Sequence, residues 1–237
     1  MRGAGLTRAM AEGAMGEAPR LLRDGLRELA VPDVEGVAAR LESYMDELER
    51  WNPRFGLVKY DTREELVIKH VLDSLSAWTH VRSAAMEAEA GAATVLDVGS
   101  GAGLPGIPLA VVLPELSFTL LERMARRASF LRTCALLLRL PRVTVLQRDL
   151  ADVTGFYDVV TFRAFAPLER FILPGGSGGP RWRTLLAYKG RKVKAEEELA
   201  TVRARLASAA AELVPLRTPF LDEERCLVRV RLAPAND

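Results

Sequence analysis

Cysteine is scarce in this chain: Cys134 and Cys226 are the only two in 237 residues. They lie far apart inside apolar runs, which excludes a disulfide framework and a cysteine-based zinc cluster. Both read as small buried hydrophobes of a reducing compartment, and no metal is expected. No apolar run approaches the roughly 20 residues of a membrane-spanning helix, and the arginine-bearing N-terminus lacks the apolar segment of a secretory signal. A soluble, cytoplasmic, monomeric protein is the expectation. A strong excess of one charge sign is missing too, since the net charge is only +2. No Gly-Lys-Ser/Thr follows the glycine-rich stretch, so the P-loop is excluded.

That glycine-rich stretch is what the chain is organised around. Thr94-Val95-Leu96-Asp97-Val98 reads as a buried strand, Gly99, Gly101, Gly103 and Gly106 supply a turn, and Ile107 to Leu113 an apolar helix behind it. Glycine is needed where the backbone turns sharply and a ligand lies against main-chain N–H groups. Gly101-Ala-Gly103-Leu104-Pro-Gly106 also satisfies the dinucleotide pattern G-x-G-x-x-G, which alone is weak. Asp97, two residues ahead of Gly99-Ser-Gly101-Ala-Gly103, resembles instead the first signature of class I S-adenosylmethionine methyltransferases. That resemblance implies a carboxylate near the methionine amino group.

With 49% hydrophobic residues the chain can bury one substantial core. Residues 1–30, rich in Ala, Gly and Arg, read as a frayed extension or a loosely attached first helix. Residues 31–92 read as an N-terminal helical subdomain. Asp33 caps a helix that ends before Pro53, and Thr62 with Glu65 opens a second one whose face runs Leu66, Val67, Val71, Leu75 and Trp78. Residues 93–237 alternate: strands at 94–98, 117–121, 143–147, 157–162, 184–188, 214–218 and 226–232, and helices near 107–113, 123–139, 166–173 and 194–213, with a Gly/Pro loop at 174–180. This is an α/β pattern: a mostly parallel, Rossmann-like sheet with helices on both faces and an antiparallel pair at one edge.

Ligands of such sheets bind outside the carboxyl ends of the strands. Glu122 closes the second strand, 19 residues after Gly103, where a carboxylate can accept from both ribose hydroxyls of a nucleoside, or simply favour a helix N-terminus. Arg148 and Asp149 follow the third strand, near an adenine. Arg163 follows the fourth and is available for a carboxylate or phosphate. On the second N-terminal helix, His70, Asp73 and Ser74 fall within about one turn of each other. Residues 122–194 hold 15 basic against 5 acidic side chains, Arg126 and Arg127 among them and then Arg181, Arg183, Lys189, Arg191, Lys192 and Lys194. That imbalance makes a phosphate-binding surface.

Five ordered segments carry a wider resemblance: Trp51-Asn52, His70-Val-Leu-Asp73-Ser74-Leu75, Asp97 to Gly106, Arg163-Ala-Phe165-Ala-Pro167 and Tyr188-Lys189-Gly190. Together they resemble the glucose-inhibited-division-B family, the guanine-N7 methyltransferases that modify the 530 loop of 16S rRNA in the small ribosomal subunit. The resemblance implies S-adenosylmethionine contacts at Gly99, Leu104, Arg148, Asp149 and Arg163, and an RNA-facing role for the His70 helix. Arg126-Arg127 stand where the family usually has Lys-Lys, Asp149 where it has Glu, and Pro174 to Arg183 is longer than the expected turn and reads as a surface insertion. Guanine N7 carries its own lone pair, so no catalytic acid or base is demanded. The Asn/Asp-Pro-Pro-aromatic run of exocyclic-amine enzymes and the Pro-Cys of pyrimidine C5 enzymes are both missing, while Phe162 or Phe165 could stack on an extruded base. An NAD(P)-dependent oxidoreductase and a non-catalytic RNA-binding factor are the alternatives.

Overall fold

The computed structural model describes residues 16–88, 92–165, 167–168, 179–206 and 209–232. Its first helix, α1 (Glu17–Glu28), buries Ala18, Leu22, Gly25 and Leu26, a stripe at helical spacing. A side chain at Gly25 would overlap Leu72, so glycine lets α1 lie close to the helix that carries His70. The Trp78 indole N–H donates to the Leu29 carbonyl at 2.9 Å. Of the frayed extension or loosely attached first helix expected over residues 1–30, the helix is present from residue 17 onward, and it is packed into the core, with Gly25 at its contact with Leu72. Residues 1–15 lie outside the described residues.

Helix α2 (Val34–Phe55) starts on Asp33, whose carboxylate accepts from Gly36 N–H at 3.2 Å. It runs through Pro53 rather than stopping before it. The exit is held instead by Gly56 at φ 55°, donating to the Asn52 carbonyl, and by paired bonds between the Asn52 amide and Val58 main chain. The helix α3 is three consecutive segments, Arg63–Glu65, the π-helical Leu66–Leu72 and Asp73–Leu75. Thr62 Oγ1 accepts from Glu65 N–H, but the Glu65 carboxylate reaches back to Asp61 N–H, one residue beyond the box that the sequence predicts. The chain then breaks at Ser76–Ala77, so Trp78 opens a separate helix, α4 (Trp78–Ala85).

Next come β1 (Thr94–Val98), α5 (Gly106–Val112), β2 (Ser117–Leu121), α6 (Ala125–Leu137), β3 (Val143–Leu146), β4 (Phe156–Arg163), β5 (Arg181–Lys189), α7 (Lys192–Arg205), β6 (Ala210–Leu216) and β7 (Arg225–Arg231). They build a seven-stranded sheet in the order β3-β2-β1-β4-β5-β7-β6. The first five positions are parallel, and β7 pairs antiparallel with both β5 and β6. Helix α7 ends eight residues earlier than expected, and 210–213 belong to β6, where pairing with β7 overrides the helix preference of alanine. Arg181 and Arg183, expected in a loop, lie in β5; most of the helix expected at 166–173 and most of the 174–180 loop lie outside the described residues.

Alternation along β1 sorts the core. Val95 joins an apolar cluster running from Leu22 through Leu72 and Phe118 to Leu227, while Leu96 and Val98 join a second cluster with Phe162, Leu185 and Leu199. The first cluster crosses residue 92, so the N-terminal helices share a core with the sheet. Strand order reverses between β1 and β4, and that switch point places the crevice at the ends of these two strands.

Candidate functional site

At the end of β1 the Gly99 and Ser100 N–H groups both donate to the Leu121 carbonyl, at 2.9 and 3.0 Å, which folds the loop over the tip of β2. Gly99, Gly101 and Gly103 take φ of 68°, 57° and 87°, where other residues are strained. A Cβ on Gly101 would meet only the Gly99 carbonyl at 3.6 Å and Arg127 at 4.0 Å and would otherwise project into open space. A second support comes from α2, where the Tyr44 hydroxyl donates to the Ala102 carbonyl at 2.6 Å.

Two carboxylates hold this loop from below. Glu122, 4% exposed, accepts from Gly101 N–H at 3.1 Å and Met124 N–H at 2.8 Å. Asp97 is fully buried; its Oδ2 accepts from Gly106 N–H at 3.1 Å and its Oδ1 has no partner. Burial therefore pushes the Asp97 carboxyl up to about 7, against the opposing pull of the Ser100 hydroxyl and the Gly106 amide.

Across the crevice stands α3. Between it and the glycine loop lies a cavity of about 980 Å³, with Gly99, Leu104, His70, Arg127, Arg163 and Phe165 in its walls. The Phe165 ring lies against Gly99, where any side chain would overlap it, and meets Phe162 edge-on at 6.4 Å. Arg163 reaches from the end of β4 to Asp73 Oδ2 at 2.8 Å and to the Lys69 carbonyl at 3.2 Å. Its Nη2 meets His70 Nδ1 at 3.3 Å, while His70 Nε2 contacts the Lys59 carbonyl at 3.0 Å. One neutral tautomer, protonated on Nε2, satisfies both contacts. Burial, with the Arg163 charge added, holds His70 below the usual imidazole range in agreement with that form.

The expected residues thus divide. Gly99, Gly101, Leu104, Arg127, Arg163, His70, Asp73, Phe165 and Lys189 all line the one cavity. Arg126 is exposed, its guanidinium 6.0 Å over the Phe55 ring. Arg148 and Asp149 lie outside the cavity wall on exposed backbone after β3, Asp149 capping a short turn through Ala151 N–H. Three expectations need correction. Phe162 is fully buried and cannot stack on a base. Asp73 and Ser74 are buried as well, Ser74 donating back to the His70 carbonyl, so they do not present themselves to RNA. Lys189 is bound to Glu198 at 2.6 Å and lies over Phe162, so its charge is already matched. Arg225 was missed: its Nε donates to Asp73 Oδ1 at 2.9 Å across 152 residues of chain, a meeting that only the insertion of β7 beside β5 produces.

Among the described residues no helix is long and apolar enough to cross a membrane, and no group of His, Cys, Asp and Glu could hold a metal ion. The family model described as rRNA small subunit methyltransferase G matches residues 37–227. Ribosomal RNA small subunit methyltransferase G of Treponema pallidum is 38% identical over 224 residues, covering 89% of this chain and 92% of the relative. The protein of that name from a Polaromonas species is 34% identical over 218 residues, covering 90% and 93%. Among solved structures, human methyltransferase 10 domain containing protein superposes with a TM-score of 0.55 at 14% identity, covering 82% of this chain and 98% of that one. Magnesium protoporphyrin IX methyltransferase from Synechocystis, solved with bound SAH, gives 0.50 at 19% identity, covering 83% and 99%. These two likenesses establish the fold.

Proposed function

The chain belongs to the rRNA small subunit methyltransferase G family, and from that membership we propose that it transfers a methyl group from S-adenosylmethionine to N7 of a guanine in the 530 loop of 16S rRNA. The observation that carries this reading is the joint placement of the glycine loop and Arg163 at the β1/β4 switch point, inside the matched span. A ribosomal substrate sets its work in the cytoplasm.

The residues fit the cofactor. Gly101 leaves open space where a Cβ would project, and Asp97 keeps a buried oxygen without a partner at the strand end. Gly99, Gly101, Gly103 and Leu104 would cradle it, with Asp97 toward its amino-acid end and Arg163 toward its carboxylate. Glu122 would read the ribose: each of its oxygens uses one lone pair on an amide and keeps another to accept a hydroxyl. Arg148 and Asp149 would border the adenine. When bound, the cofactor supplies an electrophilic methyl group on a sulfonium. The chain's own part is alignment and exclusion of water, because guanine N7 needs no proton removed. Phe165, 38% exposed at the mouth over Gly99, is placed to stack on the guanine, and Arg126 and Arg127 to meet phosphates. An oxidoreductase is disfavoured by the family match.

Calorimetry separates these readings. The wild-type chain is expected to bind S-adenosylmethionine and not NADH, and Gly101→Val to bind neither while keeping its fold. Binding of NADH alone would overturn the proposal.

A further inference from the structure

Asp73 is the most heavily engaged acid of the cavity wall. It is 4% exposed and takes two guanidinium groups: Arg163 from the end of β4 on Oδ2, at 2.8 Å, and Arg225 from the start of β7 on Oδ1, at 2.9 Å. Thr218 adds a longer contact to Oδ1 at 3.4 Å. The helix that carries Asp73 is pinned again by the Tyr188 hydroxyl, which donates to the Ser74 carbonyl at 2.6 Å. Arg225 carries a second ion pair, to the Glu223 carboxylate at 3.0 Å, so its charge is balanced on its outer side, while the side chains of Arg163 and Arg225 keep 18% and 19% exposure and line the cavity. With Arg225 on Oδ1, the Asp73 carboxylate is held in one orientation and offers Oδ2 to Arg163, which fixes where that guanidinium points.

The fork geometry agrees. Arg163 spends Nη1 on Asp73 and the Lys69 and His70 carbonyls and one Nη2 hydrogen on His70 Nδ1. Among the described residues, its Nε–H and its second Nη2–H have no acceptor, so a planar pair of donors remains for a carboxylate.

We infer that Arg225 is a positioning residue for the cofactor's carboxylate: by holding Asp73 it fixes the Arg163 fork. This rests on the reading above that Arg163 faces the amino-acid end of S-adenosylmethionine. Arg225 itself touches Asp73 and Glu223 and acts through them.

The test measures two ligands by calorimetry on wild type, Arg225→Met and Arg225→Lys, with thermal unfolding of each. S-adenosylmethionine carries the carboxylate; 5′-methylthioadenosine has the same nucleoside end without it. Arg225→Met should bind S-adenosylmethionine about 10-fold or more weakly and 5′-methylthioadenosine as wild type does. Arg225→Lys, which keeps the charge and one donor, should fall between. Should Arg225→Met not fold, Arg225→Lys carries the same comparison. Equal loss for both ligands would overturn the inference, since it marks a merely structural role, and so would unchanged affinity for both. A wild-type chain that binds neither ligand would overturn the cofactor reading itself, a result distinct from the other two.

Discussion

At the scale of single residues the buried acids divide the work. Asp73 and Glu122 have partners on both oxygens, whereas Asp97 has one on Oδ2 alone. With its folded-state value raised from 3.8 to about 7, Asp97 contributes stability that is full below about pH 3.8 and is lost as pH rises through 7. His70 works in the opposite sense, because its value is lowered and charging it costs stability as pH falls. Comparison with Asp97→Asn cancels the His70 contribution. Urea unfolding of the two chains should show the wild type losing about 2 to 3 kcal/mol relative to the variant between pH 5 and pH 8. Parallel pH profiles would mean that Asp97 is not protonated in the folded chain.

At the scale of elements, α6 and α3 form the two sides of the cavity mouth. Arg126 and Arg127 open α6, one exposed and the other in the cavity wall. Filter binding of a 530-loop fragment across a salt series should give Arg126→Ala/Arg127→Ala a log–log slope shallower by roughly 0.7 to 0.9 for each phosphate that the two arginines neutralise. Affinity for S-adenosylmethionine should stay within about twofold. Identical slopes would assign the phosphates to Arg191 and Lys194. Elements of this kind were legible where pattern and packing agree: β1 and its glycine turn, β2, α6 and β7 all lie close to where periodicity and glycine spacing put them. Strand β6 was legible only in its second half, the strand expected at 214–218, because Ala210 and Ala211 favour a helix until β7 pairs with them. The π segment of α3 left no mark in the sequence beyond an apolar face that either helix type would show. Lys189 and Phe162 were assigned to RNA on motif and residue type. What decides them is Glu198 and full burial, neither visible from local sequence.

At the scale of the whole molecule, one face of the sheet is shared with the N-terminal helices, and Tyr44, Asp73 and Ser74 tie that layer to the glycine loop, β4, β5 and β7. The cavity is therefore walled by residues from both ends of the chain. The family match, residues 37–227, likewise spans both the N-terminal helices and the glycine domain. The crevice at the β1/β4 switch point, the aromatic ring over Gly99 and the basic mouth all serve one claim, transfer of a methyl group to a guanine of small-subunit rRNA. Incubation of 16S rRNA and of small ribosomal subunits from cells lacking the modification with methyl-labelled S-adenosylmethionine and the wild-type chain, followed by mass mapping of the RNA, tests that claim most directly. The account predicts one labelled methyl group, at N7 of a guanine in the 530 loop. RNA without label, or a label on an exocyclic amine or a pyrimidine carbon, would contradict it.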